Sequence, residues 1–255
     1  MVAMCRAWQR VGNVMQVSIV ITSFNYEKYI ARAIRSCLDQ SYTSEQFEVL
    51  VVDDASEDNT RIILDSFGKY IRTIYLDKNV GLAEARNIGI KHARGRYIVF
   101  LDADDFLHND FLHVCLLYLI FNYDEMDAVA TDYFLVDDSE DHLKREDVSI
   151  KPLACGIVYR KKHLLAIGSY DARIGIGEDV DLRIRFLKKY RIGRVNLPLY
   201  RYRMHEDNMT KDNENNGKKL EIVRKKHGLK TIISPYVRHE FDKECESSIK
   251  KDKDR

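Results

Sequence analysis

The chain has 255 residues, enough for one large α/β domain with a tail, and its 41 Lys and Arg stand against 40 Asp and Glu. So even a balance gives no argument for nucleic acid as a partner. The five cysteines, Cys5, Cys37, Cys115, Cys155 and Cys245, form no close pairs, so neither a disulfide framework nor a zinc knuckle is suggested, and a reducing, cytoplasmic setting fits best.

Residues Met1 to Gln16 hold Arg6 and Arg10 but no sustained apolar core of signal-peptide type, and are read as an N-terminal extension. From Val17 to Leu101, short β-rich runs alternate with helical patterns, as a parallel sheet with crossover helices requires. The predicted strands are Val17 to Thr22, Phe47 to Val52, Ile71 to Leu76 and Tyr97 to Leu101. Between the first two, Ile30, Ala33, Ile34, Cys37, Leu38 and Ser41 fall at helical spacing and predict one buried helix face. Ile63, Leu64 and Phe67 predict a second helix, and a third runs from about Leu82 to Ala93. Further on come a helix near Phe111 to Tyr123, a strand near Ala128 to Val136 and a charged stretch, Asp137 to Asp147, that reads as a solvated loop. The run from Phe111 to Phe121 falls short of the roughly 20 residues a membrane span needs. Strand and helix resume at Gly156, a helix is expected near Val180 to Lys189, and extended chain from Gly193 to Met204. The charged end, 211–255, reads as a helical or partly disordered tail.

Ligands of open α/β sheets bind beyond the carboxyl ends of the strands, and those ends are unusually acidic here. Thr22, Ser23 and Asn25 follow the first strand, Asp53 and Asp54 the second, and Asp102, Asp104 and Asp105 the fourth. Taken singly, such residues are as well explained as helix caps and turns. As a set they point to a ligand. In extended chain Asp102 and Asp104 share a face, and carboxylates so crowded raise one another's pKa unless a cation neutralises them. Hard oxygen donors suit Mg²⁺ or Mn²⁺, ions that commonly also hold phosphate. Arg201, Arg203 and His205 alternate onto one face, either as an anion or metal site or as an ordinary surface strand. Asp179, at a helix start behind Gly177, is either a cap or a carboxylate able to accept a hydroxyl proton. Arg86 could face a nucleotide or lie on a solvated helix face.

Five segments in order, VSIVITSFNYEKYI, FEVLVVDDASEDNT, NVGLAEARNIGIKHARGRYIVFLDADD, GSYDARIGIGEDVDLRIR and YRYRMHEDNMT, resemble glycosyltransferase family 2. The resemblance implies a fold of GT-A type, Rossmann-like, with a mostly parallel central sheet and flanking helices. The domain spans 17–210, with 17–105 binding the nucleotide and 106–210 facing the acceptor. It implies an inverting enzyme that moves a sugar from a nucleoside diphosphate donor, UDP favoured, to a saccharide or lipid-linked acceptor. Carried over by residue, Thr22 and Ser23 lie at the nucleoside, Asp53 or Asp54 at the base and Arg86 on the nucleotide side. Asp102 lies near ribose and metal, Asp104 and His205 at the Mn²⁺ or Mg²⁺ and diphosphate, and Asp179 matches the proposed catalytic base. Arg203 would assist the departing diphosphate. The two alternatives are a non-catalytic nucleotide-sugar-binding scaffold and a phosphoacceptor receiver domain. Lys250, Lys251, Lys253 and Arg255 would give a weak tether to the inner face of a membrane.

Overall fold

The computed structural model describes residues 16–175, 177–206, 208 and 221–228. The expected extension up to Met15, most of the charged tail and its basic end lie outside the described residues. Residues 221–227, within the segment expected as a helical or partly disordered tail, are helical.

The chain runs β1 (Val17–Ser23), α1 (Ile30–Leu38), β2 (Phe47–Asp53), α2 (Thr60–Ser66), β3 (Arg72–Tyr75), α3 (Leu82–His92) and β4 (Tyr97–Asp102). Then follow β5 (Phe106–Leu107), α4 (Phe111–Phe121), β6 (Ala128–Val136), β7 (His142–Glu146), β8 (Ile157–Arg160), α5 (Lys161–Ala166), α6 (Glu178–Leu187) and β9 (Ile192–Arg203). Among the described residues these strands form one nine-stranded sheet in the order β3-β2-β1-β4-β8-β6-β9-β5, with β7 paired to β6.

The first four strands are parallel to one another, as the alternation of strand and helix demands. All seven residues of β1 are buried, because a strand covered on both faces has no side to give to water. α1 buries Ile30, Ala33, Ile34 and Cys37 as their spacing predicted, whereas Ser41 lies beyond its end and is exposed. α3 lies so close to β1 that a Cβ on Gly89 would stand 2.4 Å from Cγ1 of Val20. That contact needs glycine, although glycine weakens a helix interior.

The second half is mixed. β8 runs antiparallel between β4 and β6, β9 is parallel to β6, and β5 is antiparallel to β9. The segment read as a solvated loop contains β7, which pairs with β6. Four of its five residues are exposed, so it carries no apolar face by which its sequence would announce a strand. Its end is held by charge. Asp132 on β6, almost fully buried, accepts bonds from Arg194 at 2.8 Å on both oxygens and from Arg145 of β7 at 2.8 Å. Burial would raise the Asp132 pKa, but these guanidinium bonds outweigh it and hold the carboxyl below the usual range.

Candidate active site

The strand order reverses between β1 and β4, and the sequence-predicted residues gather at the carboxyl ends on either side of that point. Thr22 stands in register with Asp102, and Ser23 with Asp53. Ser23 Oγ and one oxygen of Asp53, Oδ1, are buried without a hydrogen-bond partner. Groups left so carry a desolvation cost that an incoming polar ligand would relieve.

The two neighbouring acids after β2 separate cleanly. Asp53 accepts from Arg61 Nε at 2.8 Å and from the Ser56 amide at 3.3 Å. Asp54 instead accepts the amides of Val80 at 2.7 Å and Gly81 at 2.9 Å, holding the loop that opens α3. Gly81 has φ of 86°, a conformation that L side chains rarely adopt.

The three acids after β4 also divide. Asp105 is buried and turned away: it accepts from Tyr200 Oη at 2.5 Å and from the Arg203 amide at 2.8 Å. Burial and the charges of Asp104 and Asp102 push its pKa well up. Asp104 meets His205 Nε2 at 2.9 Å, across 101 residues of sequence. Burial, and then the charge of Asp102, raise its pKa against the imidazole contact. Asp102 remains nearly one-third exposed. Burial, reinforced by the charges of Asp104, Asp102 and Asp105, drives the Tyr26 phenol up. His205 packs against the Tyr29 ring at 4.8 Å between centroids, and its backbone amide is held by Asn208 at 2.5 Å.

Arg203 sits near this group with its guanidinium already engaged. It donates to the Asp104 carbonyl at 3.0 Å, to the carbonyls of Asp137 and Asp138 at 3.3 and 3.2 Å, and to Glu140 at 3.2 Å. These bonds lash the β6–β7 turn over the Asp104 backbone. Arg86, 1 % exposed, bridges Asp102 Oδ1 at 2.8 Å and Glu178 Oε1 at 3.0 Å. Glu178 opens α6 behind Gly177, whose φ is 101°. Asp179 is the next residue, about a quarter exposed, with Arg183 at 3.6 Å.

Among the described residues no three His, Cys, Asp or Glu side chains are gathered closely enough to enclose a metal by themselves. The chemistry nevertheless fits a divalent cation shared with phosphate. Asp104 and Asp102 offer hard oxygens, and the like charge between them raises Asp104 until a cation offsets it. His205 Nδ1 is buried without a partner, while Nε2 points at Asp104.

Residues 18–174 match the family model described as glycosyl transferase family 2. The chain belongs to that family. This glycosyltransferase family 2 chain is 33% identical over 209 residues to the minor teichoic acid biosynthesis protein GgaB of Bacillus subtilis, covering 74% of this chain and 23% of the relative. It thus spans less than half the length of the first curated relatives it matches. Its fold is that of GT-A glycosyltransferases. Staphylococcus aureus TarS 1-349 in complex with UDP-GlcNAc superposes with a TM-score of 0.70 at 21% identity, covering 82% of this chain and 65% of that one. The mannosyltransferase PcManGT of Pyrobaculum calidifontis, in complex with GDP-Man and Mn²⁺, gives 0.67 at 15% identity, covering 88% and 71%. The receiver-domain alternative is thereby set aside.

Three features of the family 2 site were not given a role from sequence. Glu178 was seen only as the neighbour of Asp179, yet it is the partner of Arg86. Tyr26 and Tyr29 lie in the loop after β1 and were read only as part of a family segment. A fully buried arginine must find anions, but neither the burial of Arg86 nor its reach to Glu178 is written in local spacing. No local signal marks the two tyrosines either.

Proposed function

We propose that this chain transfers a sugar from a UDP-linked donor to a hydroxyl of a saccharide or lipid-linked acceptor, with inversion at the anomeric carbon. The observation that carries the reading is the meeting of Asp104 with His205 beside Asp102, at the edge where β1 and β4 part, with the start of α6 tied to the same edge through Arg86. The TarS complex with UDP-GlcNAc and the PcManGT complex with GDP-Man and Mn²⁺ share this fold and support a nucleotide-sugar donor.

In this reading Thr22 and Ser23 line the nucleoside position, and the unpartnered Asp53 oxygen accepts from the base. Asp54 acts one step back, by shaping the loop before α3. Asp102, Asp104 and His205 would hold Mn²⁺ or Mg²⁺ together with the diphosphate, and the cation, when bound, supplies charge stabilisation to the leaving group. Asp179 accepts the acceptor's hydroxyl proton as that oxygen attacks, and the sugar–phosphate bond breaks on the opposite side. One displacement without a covalent intermediate inverts the configuration. Arg203 steadies the Asp104 backbone rather than reaching the diphosphate. The teichoic acid name of the B. subtilis relative favours a cell-envelope polymer as acceptor and the cytoplasmic face of the membrane as the workplace. Among the described residues no helix is long and apolar enough to cross a membrane.

Thermal shift with a panel of UDP-, GDP-, dTDP- and CMP-sugars, with and without Mn²⁺, tests this. A donor at 100 times its Kd stabilises by about 2.7 kcal/mol. Stabilisation that needs Mn²⁺ and disappears in Asp104→Ala is expected, and an NMR assignment of the product anomer should show inversion. Retention of configuration, or no shift with any donor on folded protein, would sink the proposal.

A further inference from the structure

We propose that Arg86 is a positioning residue, a buried strut that sets the distance between the donor-side acid Asp102 and the start of the helix that carries Asp179. The inference rests on the glycosyltransferase reading above and assigns Arg86 a role different from a nucleotide contact.

Both Nη atoms of the guanidinium are engaged within the protein, while Nε is buried without a partner. The side chain is 1 % exposed, with one end on Asp102 Oδ1 at 2.8 Å and the other on Glu178 Oε1 at 3.0 Å. The rings of Tyr170 and Phe100, packed edge to face on each other, cover one side, with centroids 5.4 and 5.9 Å from Cζ. Cys155 Sγ fills a further side at 3.4 Å from Nη2. The next residue of α3 repeats the tie: Asn87 donates to the Tyr170 carbonyl at 3.0 Å and accepts the Tyr170 amide at 2.9 Å. One helix therefore grips β4, the segment before α6 and the first residue of α6 itself.

Breaking one partner from a buried ion pair leaves an uncompensated charge, so α6 cannot drift from β4 while the strut is intact. Arg is suited to this because its fork is planar and reaches two acids in fixed directions, which a lysine ammonium cannot do. Glu178 is the anchor, and Asp179 takes its placement from it. A misplacement of about 1 Å at a reacting group can cost on the order of 10²-fold in rate.

The far end of the strut gives the decisive variants, because Glu178 is joined to Asp102 through Arg86 rather than by a bond of its own. Glu178→Gln keeps the size and an acceptor oxygen, and Glu178→Leu removes the anchor. The experiment measures UDP affinity with Mn²⁺ by calorimetry, together with kcat and KM for UDP release from UDP-linked sugars. It compares wild type, both Glu178 variants and Arg86→Lys. The expected result is a UDP Kd within about threefold of wild type in the Glu178 variants, with kcat down by about 10²-fold in Glu178→Leu and by less in Glu178→Gln. Arg86→Lys should likewise lose kcat more than affinity. A loss of UDP affinity at unchanged kcat in Arg86→Lys would make Arg86 a nucleotide contact and overturn the proposal. So would Glu178 variants that melt earlier but turn over normally, since that is a purely structural role. If wild type neither binds UDP nor releases it from any donor, the donor-site reading itself fails, and the strut with it.

Discussion

The two halves of the sheet are held by different forces. β1, β2 and β4 are parallel and nearly all buried, with polar residues confined to positions near the strand starts and ends, and the half-exposed β3 closes the edge. From β5 to β9 the sheet is mixed, and its surroundings depend on buried ion pairs, Asp132 with Arg194 and Arg145 and Asp181 with Arg185, Lys226 and His227, and on the hydrogen bonds of Asp105 with Tyr200 and the Arg203 amide. Apolar packing tolerates changes of pH and salt. Ion pairs with demanding partners do not, so the second half can be loosened or shifted by conditions that leave the first unmoved.

The largest effect is expected where a buried pair is broken. Asp132→Ala takes both carboxylate bonds from Arg194, only 10 % exposed at its side chain, leaving it the Asp147 ion pair at 3.1 Å, and should cost about 3–5 kcal/mol in urea unfolding. Leu50→Ala, in the fully buried centre of β2, should cost about 2–5 kcal/mol through lost transfer energy and a cavity. The comparison sharpens when both are measured at low and high salt: the Asp132 deficit should change and the Leu50 deficit should not. Asp54→Ala should cost about 1–3 kcal/mol, since it releases the amides of Val80 and Gly81.

A smaller effect separates the halves by pH. Asp181 in α6 is fully buried, which by itself would raise its pKa. Bonds from Lys226, His227 and Arg185 reverse that and hold the carboxyl below its usual value. A carboxyl with a depressed folded pKa contributes stability that is present above its unfolded value and lost as pH falls through the folded one. Lys226→Met should therefore lower the melting temperature at pH 7, and the gap from wild type should narrow below about pH 4. A gap that widens on acidification would contradict the assignment. Leu50→Ala should show no such narrowing.

The same division explains what the sequence disclosed. In the first half, short β-rich runs and helical spacing carried the strands and helices, because burial on sheet and helix faces writes itself into the order of apolar residues. Ile30, Ala33, Ile34 and Cys37 are the plain case. The site was legible to the same extent: strand ends pointed to Thr22, Ser23, Asp53 and the acids after β4, and structural register brings those together. β7 could not be read, because an exposed edge strand of His, Leu, Lys, Arg and Glu has no apolar period. Nor could the assignments within acid pairs. Asp53 differs from Asp54, and Asp104 from Asp105, only in which way each side chain faces, and that is decided by partners such as Tyr200 and His205 about a hundred residues away. The joining of Arg86 to Glu178 spans 92 residues and leaves no trace in local spacing.

The most direct test of the account is the rate of UDP release from UDP-linked sugars by wild type and Asp179→Asn, each with its UDP Kd measured alongside. Loss of a general base should slow release by about 10²–10⁴-fold while UDP affinity stays as it was. Equal rates in the two proteins would show that Asp179 accepts no proton in the reaction, and the site as described would not be the one that works.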